Sequence, residues 1–249
     1  MTLEGKICLI TGGTKGIGAA TALELARRGG DVAINGREAD KEAMAVKAQV
    51  EAMGRRCLIV VGDVSKPAEA KRCVAETVVG LGDVSVLVHS AGGLAAGSLL
   101  DVSPEVWYQA FDVHVHAVFH LCRAAVPIMK KNREGAILLI SSVAGLRGCL
   151  GAIAYGVVKG ALLQFARSLA RELADNNIRV NCVSPGLIRT RFQDYLTPEQ
   201  LSHNVDNRIP LHRVGKAEDV AAAIALLITN DFITGENLVV DGGMTMRIV

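Results

Sequence analysis

Short runs that are apolar at every position, LIVV, VLV and AILLI among them, recur along this chain and alternate with longer stretches of helical periodicity. A strand with no polar face must be covered on both sides, which means a parallel sheet held between two layers of helices. Strands are expected over 6–11, 32–35, 58–61, 84–89, 136–141, 178–183 and 238–240, and helices over 18–28, 38–53, 67–79, 104–131, 154–174 and 217–229. Ser65, Ser103 and Thr197 stand where N-caps are expected, each with an acid or Gln close behind. This order predicts an α/β fold, a doubly wound parallel sheet of about seven strands with helices on both faces.

No Pro/Gly/Ser-rich linker, repeat or composition shift divides the chain, so residues 1–249 are expected to form one domain. Half of the residues are apolar, enough to bury a core without staples. The stretch 187–215 contains Pro198 and Pro210, lacks clear periodicity, and is expected to be a substrate loop or lid. A net charge of +2 with interspersed signs, and an aromatic content of 4%, give no platform for nucleic acid. The cysteines at 8, 57, 73, 122, 149 and 182 form no C-x-x-C pair, as expected of mostly buried thiols in a cytoplasmic protein rather than a disulfide frame or zinc site. The start of the chain lacks the pattern of a signal peptide, and no run of 18 apolar residues predicts a membrane span.

The segment TGGTKGIG (residues 11–18) falls between the first strand and the first helix. Gly12, Gly16 and Gly18 let a backbone turn sharply and approach a pyrophosphate at a helix N-terminus, so Thr14, Lys15 and Ile17 are expected to line that site too. The spacing G-x-x-x-G-x-G differs from the common dinucleotide fingerprint and resembles T-G-x-x-x-G-x-G of the short-chain dehydrogenase/reductase family. The resemblance runs the length of the chain. Asp63-Val64 resembles the family's adenine-contacting pair, and Ser90-Ala91-Gly92 falls where the family has N-A-G. Pro185-Gly186, followed by Ile188 and Thr190, resembles its nicotinamide-amide segment, and Ile233-Thr234-Gly235 with Val240-Asp241-Gly242-Gly243 its C-terminal signature. Membership implies a Rossmann-type fold and a nicotinamide cofactor.

Which cofactor turns on the end of the second strand. An acid there would bond the adenosine ribose 2′-OH of NAD, but this chain has Gly36 and then Arg37, with Lys15 inside the glycine loop. Two cations and no aligned carboxylate favour the 2′-phosphate of NADP over the bare ribose of NAD. Glu38 and Asp40 are expected to complement the dipole of the helix they open.

Ser142 follows the strand AILLIS, and Tyr155 and Lys159 lie thirteen and seventeen residues further on. Tyr and Lys at i, i+4 share a helix face, and a cation beside a phenol of pKa about 10 draws it towards a working general acid/base. Ser142 would hold the substrate oxygen during hydride exchange, with Ser141 the weaker candidate by spacing.

Two departures from the family stand out. N-N-A-G reads His89-Ser90-Ala91-Gly92, and the active-site Asn of the central helix reads His114. His114 is therefore expected to tune the proton path in neutral form, repelled from protonation by Lys159. His116 and His120 have helical spacing but no third ligand, so His114, His116 and His120 are expected to face solvent or a partner and to bind no metal. Two readings result: an NADP(H)-dependent reductase or dehydrogenase acting on a small carbonyl/alcohol, and a non-catalytic nucleotide-binding homologue with a regulatory or assembly role. Arg147, Arg189, Arg191 and Arg208 near the expected pocket hint at an anionic substrate. The helices around 104–131 and Tyr155 are apolar on more than one face, and the resemblance implies a homotetramer built on them.

Overall fold

A computed structural model describes residues 1–191 and 196–246 of the chain. Its strands are β1 (Ile7–Thr11), β2 (Asp31–Gly36), β3 (Cys57–Val61), β4 (Val84–His89), β5 (Gly135–Ile140), β6 (Ile178–Pro185) and β7 (Asn237–Val240). They form one sheet in the order β3-β2-β1-β4-β5-β6-β7, and each neighbouring pair is parallel. Each strand predicted from the apolar runs is present within a residue or two of its expected bounds.

Alternate side chains of the central strands feed two separate cores. Leu9, Leu87, Ile137 and Leu139 face one side, packed by α3 (Pro67–Gly80), α5 (Ala117–Asn132) and α6 (Ile153–Leu173). Cys8, Ile10, Val88 and Leu138 face the other, packed by α1 (Gly16–Arg27), α2 (Lys41–Ala52) and α8 (Ala217–Thr229). Strands buried on both faces need no polar alternation, which is why their runs read as continuous. Five of the cysteines are buried in these layers and Cys149 is exposed. Among the described residues no helix is long and apolar enough to cross a membrane.

Several local expectations need correction. Helix α2 begins at Lys41 rather than 38, because the Asp40 side chain accepts the Ala43 N–H at 2.9 Å and starts the helix there. Ser65 caps nothing. Its hydroxyl donates to Asp63 Oδ1 at 2.7 Å, and Lys66 stands at the N-cap of α3. Ser103 and Thr197 do cap, the latter in a reciprocal pair with Gln200.

The helix expected over 104–131 is two helices, α4 (Pro104–Phe111) and α5, joined by a π-helical turn over Asp112–His116 in which Ala117 N–H bonds the Asp112 carbonyl. Such a turn inserts one residue and is common at functional sites. The segment expected as a lid contains a short helix, α7 (Pro198–His203), and a second π turn, Asn204–Arg208. A parallel bridge from Ile188 to Gly215 ties its two ends together. Residues 192–195 of that expectation lie outside the described residues.

Candidate active site

The sheet order reverses between β1 and β4, and there a cleft of about 2290 Å³ opens at the carboxyl ends of the strands. In open parallel sheets this crevice is where ligands bind. Gly12, Thr14, Lys15, Gly16, Ile17, Arg37, Asp63, Val64, Ser90, Ala91, Gly92, His114, Ser142, Tyr155, Lys159, Pro185, Gly186, Ile188 and Thr190 all line it. Gly18 lies beneath: a Cβ there would stand 2.1 Å from the Gly12 carbonyl oxygen, so this glycine closes the loop on itself.

These residues fit a dinucleotide. The N-cap of α1, Lys15, makes no side-chain cap bond, which leaves the first N–H groups of the helix for an anion. A Cβ on Gly12 would meet the Ala91 backbone at 2.8 Å, so the glycine loop and the turn after β4 approach as only glycine permits. Asn35 holds the far wall, its amide donating to the carbonyls of Val60 and Gly62, both at 3.0 Å.

The charge balance at the end of the cleft that holds Lys15 and Arg37 differs from that read in the sequence. Lys15 does not stand free: its ammonium lies 2.7 Å from Asp40 Oδ2 and 2.9 Å from Glu42 Oε2. These two hydrogen bonds raise its pKa. Arg37 is exposed and has no hydrogen-bonded or ion-paired partner among the described residues. Asp63 accepts the Ser65 N–H at 3.1 Å as well as its hydroxyl. Partial burial pushes the Asp63 carboxyl upward, but the bonds from Ser65 together with the charges of Lys66 and Arg37 outweigh it and leave the pKa lowered.

At the other end the groups are buried. Ser142 follows β5, caps the 3₁₀ turn Val143–Gly145 and accepts the Ala144 N–H at 3.1 Å, so its own hydroxyl proton remains to donate. That turn lies close against α6, since a Cβ on Gly145 would meet Gly160 N at 2.7 Å. This close approach brings Ser142 into the same cleft wall as Tyr155 and Lys159 on the first turns of α6. Ser141 is spent elsewhere, donating to the Lys159 carbonyl at 2.7 Å.

Lys159 Nζ donates to the Ile140 carbonyl at 2.7 Å and lies 5.5 Å from the centroid of the Tyr155 ring. Burial pulls its pKa down to about 7. The permanent ammonium expected beside Tyr155 is therefore half-titrated near neutrality. Desolvation weakens the cation that the spacing alone suggests.

The histidines are the largest departure from expectation. His114 is 2% exposed, neither solvated nor facing a partner, because its ring lies over Gly92, whose Cβ would clash with it at 2.0 Å. His114 Nε2–H donates to the Gly93 carbonyl at 3.0 Å, while Nδ1 is buried with no hydrogen-bond partner. Its ring stands edge-on to Tyr155, with centroids 5.9 Å apart. His89 Nε2–H donates to the Val113 carbonyl in the π turn at 3.0 Å, and His89 Nδ1 accepts from Thr11 Oγ1 at 2.9 Å. Carbonyls only accept, so both rings carry their proton on Nε2. The β4 end thus bonds the π turn, and the π turn bonds the segment after β4, in a reciprocal stitch.

Burial, with Lys159 second, lowers the pKa of His89 to about 3 and that of His114 well below its ordinary value. His114 is neutral as expected, but burial rather than Lys159 is the larger cause. His116 pairs with Asp112 at 2.8 Å, and no group of three or more metal-ligating side chains is assembled among the described residues.

Comparison with known proteins agrees with the fold. The family profile described as Enoyl-(Acyl carrier protein) reductase matches residues 12–245. The chain belongs to the short-chain dehydrogenase/reductase family of oxidoreductases. It is 36% identical over 248 residues to 3-oxoacyl-(acyl-carrier-protein) reductase FabG of Escherichia coli, covering 99% of this chain and 100% of that one. A structure described as a short-chain alcohol dehydrogenase from Sinorhizobium meliloti 1021 superposes with a TM-score of 0.94 at 31% identity, covering 99% of this chain and 98% of that one. A blue fluorescent protein from a metagenomic library, in complex with NADPH, superposes with a TM-score of 0.90 at 34% identity, covering 98% and 100%.

Proposed function

We propose that this chain is an NADP(H)-dependent reductase or dehydrogenase that interconverts a small carbonyl and its alcohol, with Tyr155 as general acid/base. The observation that carries the reading is the convergence of Ser142, Tyr155 and Lys159 on one cleft wall beside the glycine loop. The cofactor, when bound, supplies or takes the hydride. The chain's own groups do the rest. Ser142 donates its remaining hydroxyl proton to the substrate oxygen and fixes its position. Tyr155 passes a proton to or from that oxygen, and Lys159, titrating near neutrality, adjusts the ease with which the phenol gives it up. Gly12 to Gly18, Arg37, Asp63-Val64, Ser90 to Gly92, and Pro185 to Thr190 cradle the dinucleotide.

The NADP(H) preference rests on Arg37, exposed and held in no hydrogen bond or ion pair among the described residues although near enough to Asp63 to lower its pKa, and on Gly36 in place of an acid. The relative solved with NADPH and the reductase names of the similar proteins support the direction and class. The lid segment 187–215 forms the outer wall of the pocket through Leu187, Arg189 and Arg208. Tyr108 on α4, Phe119 on α5 and Val157 on α6 leave apolar surface exposed, which a homotetramer packed on these helices would cover. A light-scattering mass equal to one chain at micromolar concentration rules that assembly out.

The test of function is NADPH oxidation against a panel of β-ketoacyl thioesters, sugars, steroids and simple ketones. Turnover of one class establishes the activity. Tight NADPH binding without turnover of any carbonyl instead favours a non-catalytic nucleotide-binding homologue, a reading that the half-neutral Lys159 and the substituted His114 keep in play.

A further inference from the structure

One carboxylate in the cleft serves two cations. Glu42 Oε2 lies 2.9 Å from Lys15 Nζ, and the same carboxylate meets Arg191 through two contacts, at 3.2 Å and 3.1 Å. Lys15 belongs to the glycine loop, Glu42 to the first turn of α2, and Arg191 to the segment after β6. All three line the cleft, and a Cβ on Gly16 would meet Thr190 at 3.2 Å, so the loop and that segment already touch.

The two acids on Lys15 are not equivalent. Asp40 is fixed, because its other oxygen caps α2 through the Ala43 N–H. The Glu42 carboxylate accepts no backbone N–H among the described residues, and Arg191 holds both of its oxygens, sharing Oε2 with Lys15. It is the movable counterion. A 2′-phosphate beside Lys15 would repel this carboxylate, whereas a bare ribose hydroxyl would leave it where it stands.

We infer that Glu42 sets the preference between phosphorylated and unphosphorylated dinucleotide by dividing itself between Lys15 and Arg191. The inference rests on the reading that the cleft takes a dinucleotide with its adenosine end at Gly36-Arg37. With NADP(H), Glu42 releases Lys15 to the phosphate and remains wholly on Arg191. Arg191 thus assists NADPH without touching it, by giving the displaced carboxylate a second partner. With NAD(H), nothing moves.

The experiment measures NADPH and NADH affinity by nucleotide fluorescence in four proteins: the unaltered chain, Glu42→Gln, Arg191→Ala and the double variant. Glu42→Gln is expected to tighten NADPH by about three- to tenfold, the range of one exposed charge pair, and to leave NADH within about twofold. Arg191→Ala is expected to weaken NADPH by a similar factor, because Glu42 then has only Lys15. In the Glu42→Gln background, removing Arg191 is expected to cost nothing. All these differences should shrink at high salt, since the groups are exposed. An Arg191→Ala loss that persists undiminished without Glu42 overturns the inference and makes Arg191 a direct phosphate contact. So does a Glu42→Gln variant that shifts NADPH and NADH equally. If the unaltered protein binds neither dinucleotide, the functional reading falls first and takes this inference with it.

Discussion

The two ends of the cleft control charge by opposite means. At the end that holds the glycine loop the exposed ionisable groups are mostly paired, Lys15 with Asp40 and Glu42, and Glu42 again with Arg191, while Arg37 makes no hydrogen bond or ion pair among the described residues. Partners there reinforce the charged forms, raising Lys15 and lowering Asp40. At the chemical end the groups are buried and short of counterions. Desolvation drives His89, His114 and Lys159 towards their neutral forms. An exposed network of this kind is adjustable and sensitive to salt, and suits recognition of a charged ligand. A buried set holds protons in fixed places and is indifferent to salt, which suits proton transfer.

Tyr155→Phe separates the two ends most sharply. Only the phenolic oxygen and its proton are lost, so turnover should fall by about 10²–10⁴-fold, the span of one general acid/base. The adenosine end does not see the change, and NADPH affinity measured by fluorescence should stay within about threefold. A variant that loses affinity and turnover together would show that Tyr155 holds cofactor rather than moving a proton.

Acid unfolding tests the burial of the histidines. Both imidazoles are neutral in the fold, and the unfolded chain takes up a proton on each below its ordinary pKa of 6.5. The unfolded state therefore binds more protons, and stability present above pH 6.5 is lost as pH falls towards 3, the value to which His89 is pushed. His89 contributes a slope of about 1.4 kcal/mol per pH unit inside that window, and His114 adds to it in the same direction. Lys159 works in a higher window: below 10.5 the unfolded chain takes up a proton while the buried amine stays neutral down to about 7, so its contribution to stability is lost as pH falls between the two. Denaturant midpoints from pH 7 to 4 should show the steep acid limb. His89→Asn should flatten it while costing about 1–3 kcal/mol at neutral pH for its two bonds. An unchanged slope would mean that His89 is not the proton acceptor.

How much of this was legible in the sequence follows the same division. The fold was, because strands such as AILLI carry their double burial in every residue. So was the meeting of Ser142, Tyr155 and Lys159 on one cleft wall, because one strand end and one helix turn hold them. The π turn was not: over five residues, DVHVH reads the same whether the turn closes at i+4 or i+5. The charge at the adenosine end was misread because Lys15 and Asp40 are 25 residues apart, and only the parallel pairing of β1 with β2 brings loop and helix start together. The burial of His114, expected to face solvent or a partner, was not legible because the room for its ring comes from Gly92, on another element. Ser65 failed as a cap because Asp63, two residues earlier, claims its hydroxyl first.

Cofactor choice is the next smaller effect. Arg37→Ala should erode the preference for NADPH over NADH by about tenfold, one charge-assisted contact. Gly36→Asp should shift it towards NADH, but a side chain there meets Thr14 Cγ2 at 2.7 Å, so the threonine must turn aside. Kd for both dinucleotides, at low and high salt, checks the pair. Equal affinities in the unaltered protein would end the NADP(H) reading.

The smallest effect should come from His114→Asn, although the His114 ring stands edge-on to Tyr155. Its one hydrogen bond, Nε2–H to the Gly93 carbonyl, is a donor role that an amide nitrogen can also fill. Its Nδ1 has no partner to lose. The π turn is held independently by His89 on Val113, so the backbone carbonyls there stay in place. What the change removes is the edge-on contact with the Tyr155 ring and some volume over Gly92. A smaller group also frees space for water near Lys159, whose pKa should then rise above about 7 as burial lessens. The turnover rate should therefore stay within about tenfold, or roughly 1.4 kcal/mol of barrier. Its pH profile should move upward by a fraction of a unit, and NADPH affinity should hold. These are read from kcat against pH in the two proteins. A gain of several orders of magnitude over a near-zero starting rate would instead mark His114 as the change that disabled a once-catalytic site.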